Sequence, residues 1–223
     1  MSDGFLVLPF YAVCDESSSM ADEVDTVNTS LKELHSEIVT QPVIADKTRF
    51  ALIGFSTEAR ELLRLSDLST VSSMPGIVAD GLTAYGRVFS LLRDVIERDV
   101  RNLKNDGLRV YRPTVFFLSD GLPTDPDEWP EEHARLVDQS WTYRPNIIAF
   151  GIGQADAQTI GQVATLKAYM VNDGVNPAAA LQEWARSLTK SIVASASATE
   201  DGQVRLVVPP PPEGFTEVQL DEL

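Results

Sequence analysis

The chain has 223 residues, of which 43% are hydrophobic and 23% are charged, and these values are typical of one globular domain with a substantial core. Its 33 acidic residues outnumber its 18 basic residues, and the resulting formal charge of −15 opposes electrostatic binding to nucleic acid or to an anionic membrane. A single cysteine, Cys14, excludes an internal disulfide, and only two histidines argue against zinc hydrolase chemistry.

The first predicted strand, residues 5–14, is an apolar run that ends abruptly in polar residues. Proline cannot donate to a strand ladder, so we expect Pro9 near the beginning of the strand and pairing from about Phe10 onward. Three oxygen-bearing side chains follow at alternate positions: Asp15, Ser17 and Ser19. Such oxygens are candidate ligands for a hard divalent cation. The alternative is a helix N-cap, for which Asp and Ser are also favoured.

Helical spacing of apolar residues predicts an amphipathic helix over residues 21–40. Residues 49–56 form a second apolar strand, and residues 59–65 are predicted to pair with it as a hairpin. Thr83 then precedes a long helix that runs to about residue 105. We expect the charged face of this helix to be solvated; it comprises Arg93, Asp94, Glu97, Arg98 and Asp99.

A third apolar strand, residues 114–118, again ends in a polar run that contains Asp120. An acidic helix is predicted over residues 126–141, with Thr124 and Asp125 as its N-terminal caps. A role for these two residues in lining a metal face stays open. The remaining predicted elements of the domain are a strand at 146–153, a short helix at 156–166, a short strand at 167–172 and a helix at 178–196.

Strands and helices alternate, and the strands are continuous apolar runs, which is typical of a parallel sheet covered on both faces. We therefore predict an α/β fold with a doubly wound, mostly parallel central sheet and one antiparallel edge strand. Residues 1–198 form this domain, and residues 199–223 are predicted to be a flexible acidic tail with four prolines and a brief strand at 204–208. The first basic residue is Lys32 and no apolar run is long enough to span a membrane, so we expect a cytoplasmic protein.

In a doubly wound sheet the carboxyl ends of the strands lie together, so we expect three polar segments to converge on one crevice: Asp15-x-Ser17-x-Ser19, Gly81-x-Thr83 and Asp120-Gly121. The order and strand context of Asp15, Ser17, Ser19, Thr83 and Asp120 resemble the metal-ion-dependent adhesion site of von Willebrand factor type A domains. The resemblance covers about residues 5–196. It implies a domain of that fold that binds Mg²⁺, or Mn²⁺ or Ca²⁺, and has no enzymatic activity.

The resemblance also implies a role for each site residue. Ser17 and Ser19 bind the cation directly, and Thr83 binds it directly or through water. Asp15 and Asp120 act largely through water and hydrogen bonds. Because most direct ligands are neutral, the cation keeps positive charge toward solvent, where a protein partner can offer an Asp or Glu carboxylate. Two positions differ from common relatives: Glu16 adds a charge, and Ser18 replaces a frequent glycine.

Further motifs resemble a narrower group, the bacterial TerY-like branch of the family. They are Pro9-x-Tyr11, Ser119-Asp120-Gly121-x-Pro123-Thr124-Asp125 and Ala149-x-Gly151-x-Gly153. Members of this branch are associated with tellurium resistance and stress-response systems, often alongside kinases and phosphatases. The resemblance therefore implies components of such systems as partners.

Other functions have weaker support in the sequence. A phosphatase or other hydrolase could use the same strand-end carboxylates, but the Asp-x-Asp pattern of aspartate-nucleophile phosphatases ends here in Ser17 instead of a second carboxylate. Residues 54–58 lack the closing glycine of a serine-hydrolase elbow, and we expect His35 and His133 at the surface. The third hypothesis is a scaffold that acts through the acidic tail.

Overall fold

The computed structural model describes residues 4–198 and 205–220. The strands of these residues are β1 (Leu6–Asp15), β2 (Thr48–Phe55), β3 (Ala59–Ser66), β4 (Arg109–Val110), β5 (Thr114–Ser119), β6 (Asn146–Gly151), β7 (Lys167–Val171) and β8 (Phe215–Val218). Their α-helices are α1 (Val24–Val39), α2 (Pro42–Lys47), α3 (Tyr85–Asn105), α4 (Trp129–Val137), α5 (Ala157–Val163) and α6 (Pro177–Ser197). Short 3-10 helices span Ser18–Asp22 and Leu68–Thr70. None of the described helices is both long enough and apolar enough to cross a membrane.

The strands form a single sheet in the order β3-β2-β1-β5-β6-β7-β8, with β4 paired to the start of β1. The five strands from β2 to β7 in this order pair in parallel, and β3 joins β2 in antiparallel orientation. The predicted doubly wound sheet and its antiparallel edge strand are confirmed. At the other edge β8 pairs with β7 in antiparallel orientation, which the sequence did not predict.

Helices cover both faces of the sheet because its strands carry apolar side chains on both faces. On one face, Leu31 of α1 and Trp184 of α6 pack with the even-numbered side chains of β1, including Phe10. On the other face, Phe89 of α3 and Trp129 of α4 pack around Tyr11 and its neighbours. The continuous apolar strands therefore serve two cores, as expected for a covered parallel sheet.

Pro9 lies inside β1, opposite Arg49 of β2, and the prediction that it would stand near the beginning of the strand is wrong. Alternate residues of a strand direct their backbone groups to the same neighbour, and the carbonyl of Val7 accepts a hydrogen bond from the N–H of Tyr111, just beyond β4. The nitrogen of Pro9 therefore faces the gap between β4 and β5. The missing donor falls where no strand is paired on that side.

The helix predicted over residues 126–141 is shorter than expected. Residues before Trp129 form a turn in which the carbonyl of Asp125 accepts the N–H groups of Glu128 and Trp129. The helix ends at Val137, because Asp138 leaves helical geometry and its carboxylate accepts the N–H of Ser140 at 2.7 Å. This side-chain bond offers the backbone a local alternative to another helical turn.

The expected solvation of the charged face of α3 is wrong for Asp99, which is buried. Its carboxylate accepts the hydroxyl of Tyr11 at 3.2 Å and the guanidinium of Arg98 at 2.7 and 2.9 Å. The same guanidinium binds both carboxylate oxygens of Glu61 on β3, at 2.6 and 2.7 Å. We call Arg98, Glu61, Asp99 and Tyr11 the Arg98 cluster.

The tail was expected to be flexible, but its described residues 205–220 lie against the domain. Phe215 of β8 is buried and its ring meets Phe150 edge to face at 5.7 Å. Earlier in the tail, the carbonyl of Val207 accepts the hydroxyl of Ser191, and its N–H donates to Ser195 on the same helix, α6. Residues 205–208 of the predicted brief strand are not a strand, and residues 199–204 and 221–223 lie outside the described part.

Candidate metal centre

The centre forms where two neighbouring parallel strands end. β1 ends at Asp15 and β5 ends at Ser119, and the last pair in their register is Cys14 with Leu118. Because both strands run in the same direction, the polar residues that follow each strand meet at one edge of the sheet. Thr83 reaches the same edge from the loop that precedes α3.

Three side-chain oxygens converge at this edge. The hydroxyl oxygens of Ser17 and Ser19 lie 3.0 Å apart. Both approach the same carboxylate oxygen, Oδ1 of Asp120, at 3.3 Å from Ser17 and 2.9 Å from Ser19. Ser17 and Asp120 are buried whereas Ser19 is exposed, so the cluster opens to solvent on the Ser19 side.

Asp15 lies beneath this cluster and is fully buried. Its Oδ1 accepts the backbone N–H of Ser17 at 2.8 Å, and its Oδ2 accepts the hydroxyl of Ser119 at 2.6 Å. One oxygen of the carboxylate thus fixes the loop after β1 and the other binds the end of β5. Asp15 holds together the two segments that carry the converging oxygens.

Thr83 is brought to the site through the segment that follows Asp120. Its carbonyl accepts the N–H of Thr124 at 2.9 Å, and a Cβ placed on Gly121 would lie 3.6 Å from its hydroxyl oxygen. Within the described residues, the hydrogen bonds of the serine and aspartate cluster do not include the Thr83 hydroxyl. Four of the five predicted residues are therefore joined by direct bonds, and Thr83 stands beside them.

The two carboxylates of the centre are buried, and no basic side chain of the described residues pairs with them. Burial raises the pKa of Asp15 to about 6, although hydrogen bonds from Ser119 and Ser17 oppose the shift. Burial also raises the pKa of Asp120, against hydrogen bonds from Ser19 and Ser17. None of the ion pairs among the described residues involves either aspartate. The ionised form of each carboxylate is thus penalised by burial, and a cation at this position would offset that cost.

The donor set fits a hard divalent cation. Around Mg²⁺, with ligands at about 2.0–2.1 Å in octahedral geometry, adjacent oxygens stand about 3 Å apart. The oxygens of Ser17, Ser19 and Asp120 have this spacing. In the described part of the chain no group of three or more His, Cys, Asp or Glu side chains could hold a metal ion, so a site here depends on the two hydroxyls.

Asp125 has a role that the sequence interpretation missed. Its carboxylate accepts the backbone N–H groups of Tyr85 at 3.0 Å and of Gly86 at 2.6 Å, so it caps α3 and not the helix that follows it. The prediction that Asp125 caps the next helix through its side chain is wrong, since α4 begins without a side-chain cap. One signal was present in the sequence: Ala84, at the N-cap position of α3, has no side chain that could cap.

The two unusual residues of the first loop have clear contacts. Glu16 is buried, and both of its oxygens bind the guanidinium of Arg60 at 3.2 Å, so its charge is paired. Ser18 donates its hydroxyl and its N–H to the carbonyl of Gly81, both at 3.1 Å. Ser18 begins a 3-10 helix, whose backbone has negative φ, so a serine needs no strained conformation there.

Both histidines are half-buried and not freely exposed at the surface as expected. His133 is half-buried between the rings of Phe89 and Trp129, and its Nε2 lies 2.9 Å from the carbonyl of Val163. Burial lowers the pKa of this imidazole. His35 is also half-buried, and its Nε2 lies 3.1 Å from the carbonyl of Leu68. Each Nε2 is thus engaged by a backbone carbonyl.

Comparisons with solved structures find similar folds at low sequence identity. The pilus adhesin SpaC from Lactobacillus rhamnosus GG is 15% identical over 86% of this chain and 30% of its own, with a TM-score of 0.65. Proximal thread matrix protein 1 from the mussel byssus, solved with a zinc-occupied MIDAS motif, is 17% identical over 85% of this chain and 48% of its own, with a TM-score of 0.57. A von Willebrand factor type A protein from Catenulispora acidiphila is 16% identical over 84% of this chain and 43% of its own, with a TM-score of 0.56.

The chain therefore spans less than half the length of each of these proteins. A sequence comparison with curated proteins finds no match. The model of one protein family, described as the von Willebrand factor type A domain, matches residues 10–184, which include all five residues of the candidate centre. This match extends over most of the sequence, and the chain belongs to the von Willebrand factor type A domain family.

Proposed function

We propose that this chain is a non-enzymatic, cation-dependent protein-binding module that captures an Asp or Glu side chain of a partner. The observation that carries the proposal is the convergence of the Ser17, Ser19 and Asp120 oxygens above the buried Asp15, with neither carboxylate in an ion pair among the described residues. Membership of the family supports it, as do two neighbours of the same fold, one named as an adhesin and one with zinc in its MIDAS motif.

In this proposal Ser17, Ser19 and Asp120 hold the cation, so Asp120 is a direct ligand and not the largely water-mediated one that the resemblance implied. Thr83 completes the set directly or through water, and Asp15 keeps the two loops together. Mg²⁺ is the expected cation, with Mn²⁺ or Ca²⁺ as alternatives, because every donor is an oxygen. When bound, the cation supplies a positive coordination position toward solvent for a carboxylate oxygen. A chain of net charge −15 would otherwise repel such a group.

Two exposed leucines are chain neighbours of residues at the centre. Leu82 precedes Thr83 and is 58% exposed, and Leu122 follows Gly121 and is 55% exposed. A partner side chain that reaches the cation would meet these apolar groups next to the polar cluster. The proposed interface thus has one charged contact with apolar surface beside it.

The enzymatic alternative has less support. A nucleophilic aspartate must present an oxygen to its substrate, but Asp15 is fully buried and both of its oxygens accept hydrogen bonds.

We further propose, on the sequence motifs alone, that the chain belongs to the TerY-like branch and acts in the cytoplasm of a bacterium in a stress-response or tellurium-resistance system. Kinase or phosphatase components of such a system are then its proposed partners.

The experiment that tests the function is a calorimetric titration with Mg²⁺, Mn²⁺ and Ca²⁺, followed by affinity capture of partners in Mg²⁺ and in chelator. We expect saturable cation binding by the wild type and partners that are released by chelation. Ser17→Ala should lose both. A set of partners that does not change on chelation would contradict the proposal, and turnover of generic phosphoesters that is lost in Asp15→Ala would favour the enzyme instead.

A further inference from the structure

The loop that carries Thr83, residues 78–84, is held at both of its ends by carboxylates from other segments. At the start of the loop, Glu16 Oε1 accepts the backbone N–H of Val78 at 2.9 Å. Directly after the loop, the carboxylate of Asp125 accepts the N–H groups of Tyr85 and Gly86. Glu16 and Asp125 come from the two polar segments that also contribute the serines and Asp120.

The charge of Glu16 is compensated inside the protein. Arg60 binds both of its oxygens, and the residue is only 2% exposed. Its backbone is tied to the same loop, because the carbonyl of Glu16 accepts the N–H of Asp80 at 2.7 Å. The absence of a side chain at Gly54 of β2 leaves space for the carboxylate, since a Cβ there would lie 2.1 Å from Glu16 Oε2.

The negative charge of Asp125 is compensated by the N-terminus of α3 and not by a guanidinium. It accepts two of the unpaired N–H groups at the N-terminus of α3, where a negative charge is also favoured by the helix dipole. Here too a glycine makes room for the carboxylate, because a Cβ on Gly86 would lie 2.8 Å from Asp125 Oδ2. Two acidic side chains next to the centre are thus each seated over a glycine and engaged in bonds to backbone donors.

We propose that Glu16 and Asp125 are positioning residues that set the cation affinity of the centre by fixing Thr83. They do not ligate the cation, because their oxygens are engaged by Arg60, Val78 and the start of α3. Ion-site affinity typically falls 10–100-fold when groups that orient a ligand are removed. This inference rests on the proposed function, since it assigns the groups that hold one of the proposed ligands.

The test compares cation affinity, measured by calorimetry, in Glu16→Gln, Asp125→Asn and Asp125→Ala. We expect losses of about tenfold for the two amide variants, and a larger loss for Asp125→Ala because asparagine keeps one acceptor oxygen. Glu61→Gln is the matched control for a two-oxygen arginine pair, and Asp67→Asn is the control for a carboxylate that accepts a backbone N–H. Both controls should keep the wild-type affinity.

A double-mutant cycle separates positioning from general destabilisation. In a Thr83→Ala background, Glu16→Gln and Asp125→Asn should cause no further loss of affinity, because the residue through which they act is gone. Equal losses with and without Thr83 would overturn the inference. Wild-type cation affinity in all three variants would also overturn the inference, even if a variant unfolded more easily in chelator. Absence of cation binding by the wild type itself would overturn the proposed function and, with it, this inference.

Discussion

Two groups of acidic side chains contact the central sheet or its edge, and their charges are compensated in different ways. In the Arg98 cluster, one guanidinium binds Glu61 through two bonds and also binds Asp99. In the candidate metal centre, the donors that Asp15 and Asp120 receive from the described residues are all hydroxyl or backbone N–H groups. Burial raises the pKa of Asp99 as well, but there Arg98 opposes the shift directly.

The difference indicates which of the two groups would need a cation from solution to compensate its carboxylates. The chain is able to place an arginine beside buried acids, as it does at Asp99 and again at Glu16. At Asp15 and Asp120 it places serines instead, whose hydroxyls are also cation ligands. The Arg98 cluster carries its own positive charge, whereas in the proposed function an external ion supplies that charge at the candidate metal centre.

The largest expected effect comes from removing the charged oxygen of the metal centre. Asp120→Ala takes away the carboxylate that both serine hydroxyls approach, so we expect cation affinity to fall by more than about 100-fold, which is about 2.7 kcal/mol. Calorimetric titration with Mg²⁺ measures the change. Asp99→Asn, in the Arg98 cluster, is the matched control and should keep wild-type affinity. Tight Mg²⁺ binding by Asp120→Ala would mean that the candidate metal centre does not depend on this carboxylate, and its contrast with the Arg98 cluster would be lost.

Cation binding should also stabilise the folded protein. At a free cation concentration of about 100 times the dissociation constant, binding to the native state alone adds about 2.7 kcal/mol to the free energy of unfolding. For a domain of this size that corresponds to a rise of about 5–10 °C in the melting temperature. Thermal unfolding with and without chelator measures it. Ser17→Ala should lose the rise, and a rise that survives in this variant would show that the ion binds elsewhere.

Removing the internal cation of the Arg98 cluster should destabilise the protein to an extent that does not depend on Mg²⁺. Arg98→Met leaves Asp99 buried without its ion pair, and because Arg98 is partly exposed we expect a loss of about 2 kcal/mol in the free energy of unfolding. Urea unfolding in chelator and in Mg²⁺ should give the same loss. If Mg²⁺ restored the free energy of unfolding of Arg98→Met, the Arg98 cluster would also bind the cation and would not differ from the candidate metal centre.

The sequence was sufficient for the features that depend on local pattern and strand direction. The continuous apolar runs of β1, β2, β5 and β6 gave the parallel sheet, and parallel direction brought Asp15 and Asp120 together across more than a hundred positions. These features follow from the physics of short segments and from one topological rule. The same rule placed Thr83 at this edge, and the structure has it beside the cluster, whereas its role as a ligand came from the family resemblance and stays a prediction.

Contacts between distant segments escaped the sequence interpretation. Asp125 stands directly before a predicted helix, but its carboxylate caps α3, a different helix. Asp99 belongs to a charged stretch, yet the turn of α3 directs it toward Tyr11 in the core. Phe215 is a lone aromatic in an acidic tail, and only the open edge of β7 gives it a strand partner. In each case the deciding partner lies far away in sequence.

The smallest expected effect tests whether the two groups are independent although they share β1. Tyr11 belongs to the Pro9-x-Tyr11 motif, and its hydroxyl donates to Asp99 Oδ2 at 3.2 Å. Tyr11→Phe removes this single bond without creating a large cavity, so we expect a loss of about 1 kcal/mol in the free energy of unfolding. Cation affinity should not change, because Tyr11 and Asp15 act on different neighbours. If calorimetry showed weaker cation binding in Tyr11→Phe, the Arg98 cluster would be part of the metal centre's support, and the two groups could no longer be treated as separate.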